Sequence, residues 1–450
     1  MNTLLAPPLP KSPEEIQRVE HSRLRRRVLY NLHAPDVEAR LVRTVGTIRA
    51  DAWPPPDMTS NPARHIFSQL AGLYRRSPEV TPPEGGEMVA AAIAESGYWQ
   101  LAQRVQRDTL ALNDTMVHVS IVDDEPVFRL VWPDYPQVTV APRNPAVVVA
   151  VREWVSDPAD PARWVLLHTD PRIESHWAED EAGEDVTQRV LGAESFSGAA
   201  YPWRVDGVAV LPYVRYSAAE TGFAYDPFSG AEVFEGSLQL CVYYTMLAHV
   251  MADASWAQRY AVGAEPVGSD LDSNGSKSEI VTDPATVLLL GVAPDFVGQP
   301  VVSQWATPVD PAEFLSAIER YERRVVEMAL GTVGVSRRES DVRSAASLAV
   351  SREAQREAQR AFEPLFHRSD MRLLALTAGL LDAPTEGWRI SYKSLPKDPA
   401  ELAASMDQIV AQIAAGLMDK ATAYQQLNPG LTRAEAVAAV AAIAADAAAE

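Results

Sequence analysis

The sequence predicts an α+β fold, with helix at both ends and an antiparallel sheet region between them. Three observations predict it. The hydrophobic period changes from helical to two at Met116 and stays there as far as Trp177. Two later segments, one led by Phe234 and one by Phe314, carry the same 4-3-4-3 apolar spacing. Beyond Pro396 the chain becomes alanine-rich with helical stop and start signals.

The first zone, 1–115, reads as mostly helical, broken by prolines. Ser12-Pro13-Glu14-Glu15 supplies a cap, a proline for the first turn and acids beside the helix N-terminus, so a helix runs to about Tyr30. Its arginines, Arg18, Arg23, Arg25, Arg26 and Arg27, read as a solvated face, with phosphate or subunit contact as the alternative. Trp53-Pro-Pro-Pro56 is a break, and Asn61-Pro62 opens a second helix bearing Ile66, Leu70 and Leu73. Strands are then expected at 116–122, 127–132, 137–141, 147–155, 164–169 and 172–177. Hairpin turns fall at Asp123-Asp124-Glu125-Pro126 and Thr169-Asp170-Pro171. Sequential hairpins make the sheet antiparallel. The acids Glu179 to Asp185 read as a solvated loop, without the spacing of an EF-hand.

In the third zone, Phe234, Leu238, Cys241, Thr245 and Ala248 form one seam, and Phe314, Ile318, Tyr321, Val325 and Met328 another. Each fits a helix of about 20 residues. Strand-like pieces (259–263, 279–282, 286–290, 301–306) and a polar loop, Gly268 to Ser278, lie between them, so the zone reads as a stalk with a small β-rich head. Two ordinary core helices are the alternative. A break at Gly331-Thr-Val-Gly334 precedes a long helix, about 342–380, which carries Arg343, Arg352, Arg356, Arg360, Arg368 and Arg372. Glu353 and Glu357 stand three residues before two of these arginines, and Pro364 predicts a kink or break. A short strand (387–393) and three helices (399–415, 418–427, 432–448) follow.

Composition excludes several functions. With 40 Lys+Arg against 60 Asp+Glu, the net charge is −20 over 450 residues, which cannot wrap nucleic acid by neutralising phosphates. Cys241 is the one cysteine, so no intrachain disulfide or multi-cysteine zinc site exists, and it reads as a small buried hydrophobe. No apolar run reaches the roughly 20 residues that span a bilayer, and the first residues lack signal-peptide order, so a soluble intracellular protein is expected. P-loop, H-E-x-x-H, G-x-S-x-G and dinucleotide fingerprints are absent. The eight histidines never pair at i,i+3 or i,i+4; only His168 and His176 could be brought together, by the 164–177 hairpin, and both read as satisfied surface residues. No catalytic residue, metal or cofactor is assigned.

Several segments, taken in order, carry a resemblance. They are Asn61-Pro-Ala-Arg through Tyr74-Arg-Arg-Ser-Pro78, the hairpins 116–177, Gly207-Val-Ala-Val-Leu-Pro-Tyr-Val214, the two seams with their β insert, and Asn428-Pro-Gly-Leu-Thr-Arg-Ala-Glu435. Together they resemble the portal proteins of tailed bacteriophages, with one departure at Asn113-Asp114, where a Tyr-Gly-like turn is expected. The resemblance covers most of the chain and rests on order and spacing. It implies an α/β wing (1–230), a two-helix stem (231–256 and 309–330) and a small β-rich clip (257–308). A tunnel loop, long helix and return to the wing (331–395) and a C-terminal helical crown (396–450) complete it.

The function implied is architectural: a ring of about twelve copies at the capsid portal vertex of a virion, assembled in the host cytoplasm, through which DNA is packaged and ejected. Implied partners are the terminase large subunit, a head-to-tail adaptor, the major capsid and scaffolding proteins, and double-stranded DNA passing without sequence specificity; no membrane is involved. A net-acidic channel wall would repel phosphate and let the polymer slide. Arg337, Arg338 and Arg343 are the expected tunnel-loop contacts to DNA, with subunit salt bridging as the alternative. Ser269, Asp270, Asn274 and Lys277 are the expected clip docking residues. Phe234, Leu238, Phe314, Ile318 and Tyr321 are expected to pack the stem, its second seam facing the next subunit, with Arg320, Arg323 and Arg324 pairing acids across the ring. Another multimeric virion connector, or a motif-poor hydrolase using paired carboxylates, are the alternatives.

Overall fold

Proline at the first helical turn and a polar cap before it set where several elements begin. The computed structural model describes residues 7–8, 13–46, 54–192, 196–219, 222, 224, 231–255, 258–262, 287–290, 301–305, 310–330, 345–392, 399–427 and 433–449. Helices α1 (Pro13–Leu29), α2 (Ala34–Val45) and α3 (Pro62–Leu70) come first. The Asn61 side chain accepts from the Arg64 amide at 3.4 Å, so α3 opens where the Asn-Pro pair predicts. Strand β1 (Glu79–Thr81) leads to α4 (Glu87–Glu95) and α5 (Tyr98–Leu112). Asn113, at φ 72, ends α5 in the left-handed half of backbone space that asparagine tolerates better than most residues. The Asn113-Asp114 pair therefore makes the turn into the sheet.

Two antiparallel sheets follow. Their strands are β2 (Asp114–Val122), β3 (Glu125–Val131), β4 (Pro136–Ala141), β5 (Asn144–Ser156), β6 (Trp164–Asp170) and β7 (Ser175–Asp180). After the short helix α6 (Thr187–Leu191) come β8 (Phe196–Ser197), β9 (Arg204–Val205), β10 (Val208–Ala209) and β11 (Tyr213–Ser217). The sheet orders are β11-β2-β3 and β4-β5-β6-β7-β8. The strand expected at 172–177 sits three residues later, because Pro171 to Glu174 form the turn. Glu179 and Asp180 consequently lie in β7 and not in a solvated loop. Residues 207–214 hold parts of two strands: β10 pairs back on β9, and β11 starts after Pro212.

The 231–330 zone holds α7 (Ala231–Ser255), strands β12 (Gln258–Val262), β13 (Val287–Leu290) and β14 (Val301–Trp305), and α8 (Pro311–Leu330). Strand β12 is central, parallel to β13 and antiparallel to β14. The chain then runs through α9 (Ala345–Leu380), β15 (Arg389–Ser391), α10 (Pro399–Ala414), α11 (Lys420–Leu427) and α12 (Arg433–Ala449). Pro364 does not break α9. The neighbouring Phe366, Leu373 and Leu374 are fully buried, and their packing outweighs the lost backbone hydrogen bond.

The main core crosses the whole chain. It joins Val28, Ile66, Ile93, Val105, Val117, Tyr216 and Leu238 to Phe366, Leu373, Trp388 and Ile390. Strand β15 closes it by pairing with β1, Val80 opposite Ile390. One body is thus built from segments on both sides of the 231–330 zone. No helix among the described residues is long and apolar enough to cross a membrane.

The arginines of α1 correct the expected solvated face. Arg26 is buried, donates to Asp134 Oδ2 at 2.7 Å and stacks its guanidinium 4.9 Å from the Trp132 ring centroid. Arg25 is also buried, 5.7 Å over Phe234. Arg18 donates to the carbonyls of Pro133 and Pro136, Arg23 to that of Pro7, and Arg27 is bidentate on Asp36. The 133–136 corner lies over α1, and its backbone and Asp134 need donors that α1 supplies.

Candidate functional site

Helix α7 is apolar on two faces, and this decides how the 231–330 zone attaches. One face carries the first seam into the body. Phe234 stacks on Phe67 with ring centroids 5.3 Å apart, and Leu238 and Cys241 are fully buried in the main core. Polar side chains on this face satisfy loop amides: Ser237 Oγ accepts from Ala63 at 3.1 Å and Thr245 Oγ1 from Asp57 at 2.9 Å. The other face packs on α8. Leu240, Tyr243, Tyr244 and Leu247 meet Phe314, Leu315, Ile318, Tyr321 and Val325.

Tyr243 and Tyr321 meet edge to face at 5.6 Å, and Tyr244 donates to Glu322 Oε2 at 3.2 Å. At Gly236 an added Cβ would lie 2.5 Å from Val325 Cγ2, so only glycine permits this helix spacing. Phe314, Ile318 and Tyr321 pack within the helix pair, and the surface that each seam faces differs from the expectation. Phe234 and Leu238 face the body, not α8. The second seam faces α7 of its own chain, with Ile318 only 2% exposed, and is not left for a neighbouring subunit. Met328, the last residue of that seam, is exposed, as are Arg320, Arg323 and Arg324. The expected docking residues Ser269, Asp270, Asn274 and Lys277, and the expected channel residues Arg337, Arg338 and Arg343, lie outside the described residues.

The most concentrated buried chemistry was not expected. Asp370 of α9 is fully buried and faces four tyrosine hydroxyls. Tyr74 and Tyr392 donate to Oδ2 at 2.6 and 2.5 Å, and Tyr216 and Tyr98 approach Oδ1 at 2.8 and 3.3 Å. The Tyr98 and Tyr216 hydroxyls also lie 2.6 Å apart, so one of these two phenols donates to the other and its partner supplies the bond to Oδ1. Burial pushes the Asp370 carboxyl up while the hydroxyls pull it down, and burial beside that carboxylate raises all four phenols. The hub fastens the segment after α3, helix α5, strand β11, helix α9 and the segment at β15 to one atom pair. A sequence signal for it existed: Phe366, Asp370, Leu373 and Thr377 share one helical stripe, and an acid in an apolar stripe requires buried donors.

Other buried carboxylates are also answered. Glu153 holds Arg129 through both oxygens and accepts from Tyr213 at 2.9 Å. Asp114 holds Arg215 at 2.7 Å, and Asp108 accepts from Tyr30, Trp132 and Arg107. These arrangements tie elements together. No group of three His, Cys, Asp or Glu among the described residues could hold a metal ion. Cys241 Sγ lies 3.4 Å from His33 Nε2, and burial pushes its thiol up to about 12, so it stays protonated at neutral pH.

The 164–177 hairpin brings His168 and His176 together in backbone only. In register, His168 faces Trp177 while Thr169 faces His176, so the two rings lie on opposite sheet faces. His168 stacks on Trp177 at 4.0 Å and contacts Glu179 at 3.1 Å; His176 contacts Thr169 Oγ1 at 3.1 Å. His176 is 5% exposed, which corrects its reading as a surface residue.

His176 and His118 both pack edge-on to Trp203, and His118 also meets Tyr213, with Arg129 opposite it in register. Burial first, then Arg129, lowers His118 to about 3; burial lowers His176 to about 4. Unfolded imidazoles titrate near 6.5, so the unfolded chain binds protons first as pH falls. Stability is fully present above pH 6.5 and is lost progressively toward pH 3. His118→Phe should therefore flatten the melting-temperature profile between pH 6.5 and 4; an unchanged slope would show that His118 does not control it.

No family model matches the chain, and no curated protein sequence matches it. Among solved structures, it is similar to a chain from the virion of the native gene transfer agent particle: TM-score 0.43, 13% identity, covering 88% of this chain and 93% of that one. A chain from the neck of the empty gene transfer agent particle gives TM-score 0.44 and 13% identity, covering 83% of this chain and 91% of that one.

Proposed function

We propose that this chain is the repeating subunit of a phage-type portal, an architectural ring of about twelve copies framing a DNA channel at one capsid vertex. The observation that carries the reading is the order of the parts. A body made from 13–217 and 360–392 is interrupted by an antiparallel helix pair, α7 and α8, joined through the strands β12 to β14. That is the order of wing, stem, clip, stem and return to wing. The helices α10 to α12 then stand as the crown.

In this reading the 268–278 loop, with Ser269, Asp270, Asn274 and Lys277, docks the terminase large subunit and later the head-to-tail adaptor. Arg337, Arg338 and Arg343 steady DNA beside the tunnel loop, and Arg320, Arg323 and Arg324 on the open side of α8 pair with acids of the adjacent subunit. The net charge of −20 keeps the channel from holding its cargo. Capsid and scaffolding proteins would surround the ring.

The test is native mass spectrometry with negative-stain microscopy of the purified full chain, alone and with scaffolding protein. Closed rings of about twelve times 49.1 kDa with a central hole are expected. A species that stays monomeric under both conditions would overturn the proposal.

A further inference from the structure

Residues 198–212 lie across both sheets as a strap. The β9–β10 hairpin turns at Asp206 and Gly207, whose φ angles of 51 and 75 give a tight left-handed end. The flanking chain is tied to itself. The Val210 amide donates to the Trp203 carbonyl at 2.9 Å, and the Tyr201 hydroxyl donates to the Val210 carbonyl at 3.0 Å.

Two seats hold the strap. At the first, the Trp203 ring meets His118 of β2 at 5.7 Å and His176 of β7 at 4.7 Å, edge to face in both cases. At the second, an added Cβ on Gly379 of α9 would lie 2.5 Å from Val205 Cγ1, so Val205 rests directly on the helix backbone. Between the seats, the Arg204 guanidinium donates to Glu174 Oε2 and to the Gly198 carbonyl, each at 2.7 Å. The strap thus couples the two sheets to α9.

The Trp203 seat is built against positive charge. His118 stands opposite Arg129 in register, and the Tyr213 ring of β11 lies 4.7 Å from its own. Glu153 of β5 already holds Arg129 through both oxygens and accepts from Tyr213. His176 of β7 contacts Thr169 Oγ1 and the His168 carbonyl. Carboxylates of the neighbouring turns and strands are engaged: Asp170 by Arg172, Glu174 by Arg204 and Glu179 by His168. A proton on His118 would place a second cation beside a guanidinium that one carboxylate already balances, and a proton on His176 would add a third. Burial, then Arg129 and the other imidazole, favours neutral His118, and burial favours neutral His176. The other walls are strands locked in their ladders, so the strap is the wall that can yield.

We propose that residues 198–212 form an acid-released strap: protonation of His118 and His176 drives Trp203 from its seat, lifts Val205 from Gly379 and uncouples the sheets from α9 while the body stays folded. The sign follows from the neutral rings. Once the strap lifts, both imidazoles reach water and titrate near 6.5. The closed strap is therefore favoured above that pH and is lost as the pH falls below it. This device needs no second copy and is independent of the ring reading.

The test is hydrogen exchange of the full chain read by mass spectrometry and corrected for the intrinsic effect of pH, comparing 198–212 with 98–112. Between about pH 7 and about pH 4.5, exchange in 198–212 should rise about tenfold or more while 98–112 stays protected. Gly379→Ala displaces Val205 and should give that rise already at neutral pH. By linkage it should also move the titration midpoints of His118 and His176, read from imidazole C2 exchange, toward the unfolded value. The double variant His118→Phe/His176→Phe keeps aromatic edges against Trp203 without a proton site, and its strap should stay closed at the lower pH.

Parallel loss in 198–212 and 98–112 would show global acid unfolding and overturn the strap, as would unchanged protection of 198–212 in the wild type. Acid release that persists in the double variant would overturn the role of the two histidines. If the double variant is open at neutral pH, the midpoints decide: values in Gly379→Ala equal to wild type would overturn the coupling.

Discussion

Asp370→Ala should lower the stability of the chain by about 4 kcal/mol or more, the largest loss for any single substitution considered, because it leaves buried hydroxyls without an acceptor. Tyr98 and Tyr216 can still bond to each other, and so can Tyr74 and Tyr392, so each pair keeps one hydrogen bond and strands one donor. The loss therefore comes mainly from two stranded donors and the cavity left behind. Asp370→Asn keeps the shape and one acceptor, so it should cost less. Denaturant midpoints for the three proteins give the test. An alanine variant within about 1 kcal/mol of wild type would mean that the hub is replaceable by water.

The second large effect is expected in the helix pair. Replacing Phe314, Ile318 and Tyr321 together by alanine removes the α8 side of the contact with Leu240, Tyr243 and Leu247. Each buried truncation costs about 2–5 kcal/mol, with partial exposure of the two aromatic residues reducing their share. Helix α7 should remain attached, because its other face is buried in the body through Phe234 and Leu238. Amide exchange should thus rise steeply in 311–330 and little in 98–112. Equal protection in both proteins would show that α8 is held by something other than this seam.

How much was legible in the sequence depends on whether the deciding interaction was local. The period-two run from Met116, the Asn61-Pro62 helix start and the seam spacing are local patterns, and the corresponding elements form. The α1 arginines looked solvated because their partner Asp134 lies 108 residues from Arg26. The first seam packs into the body and not within the stem because α7 is apolar on two faces, and periodicity identifies faces without saying what covers them. The Asp370 hub is not readable as a unit, since its four tyrosines come from positions 74, 98, 216 and 392. Pro364 leaves the helix continuous, because a helix pinned by Phe366 and Leu373 withstands the loss of one hydrogen bond.

The pairing of β1 with β15, and of Tyr74 with Asp370 and Tyr392, has a consequence for synthesis of the chain. When a ribosome has made residues up to Ser217, the strand partner of Glu79–Thr81 and the acceptor of three tyrosines do not yet exist. Helices α7 and α8 and everything between them emerge before either arrives. The nascent body must therefore wait, with an unpaired edge at β1 and an open apolar cleft where Phe366 and Leu373 will sit, until the last quarter of the chain is translated. Such long-range closure makes folding slow and leaves a half-built intermediate exposed to aggregation. The point at which this subunit becomes safe from wrong association is thus set late in translation, at the arrival of Tyr392.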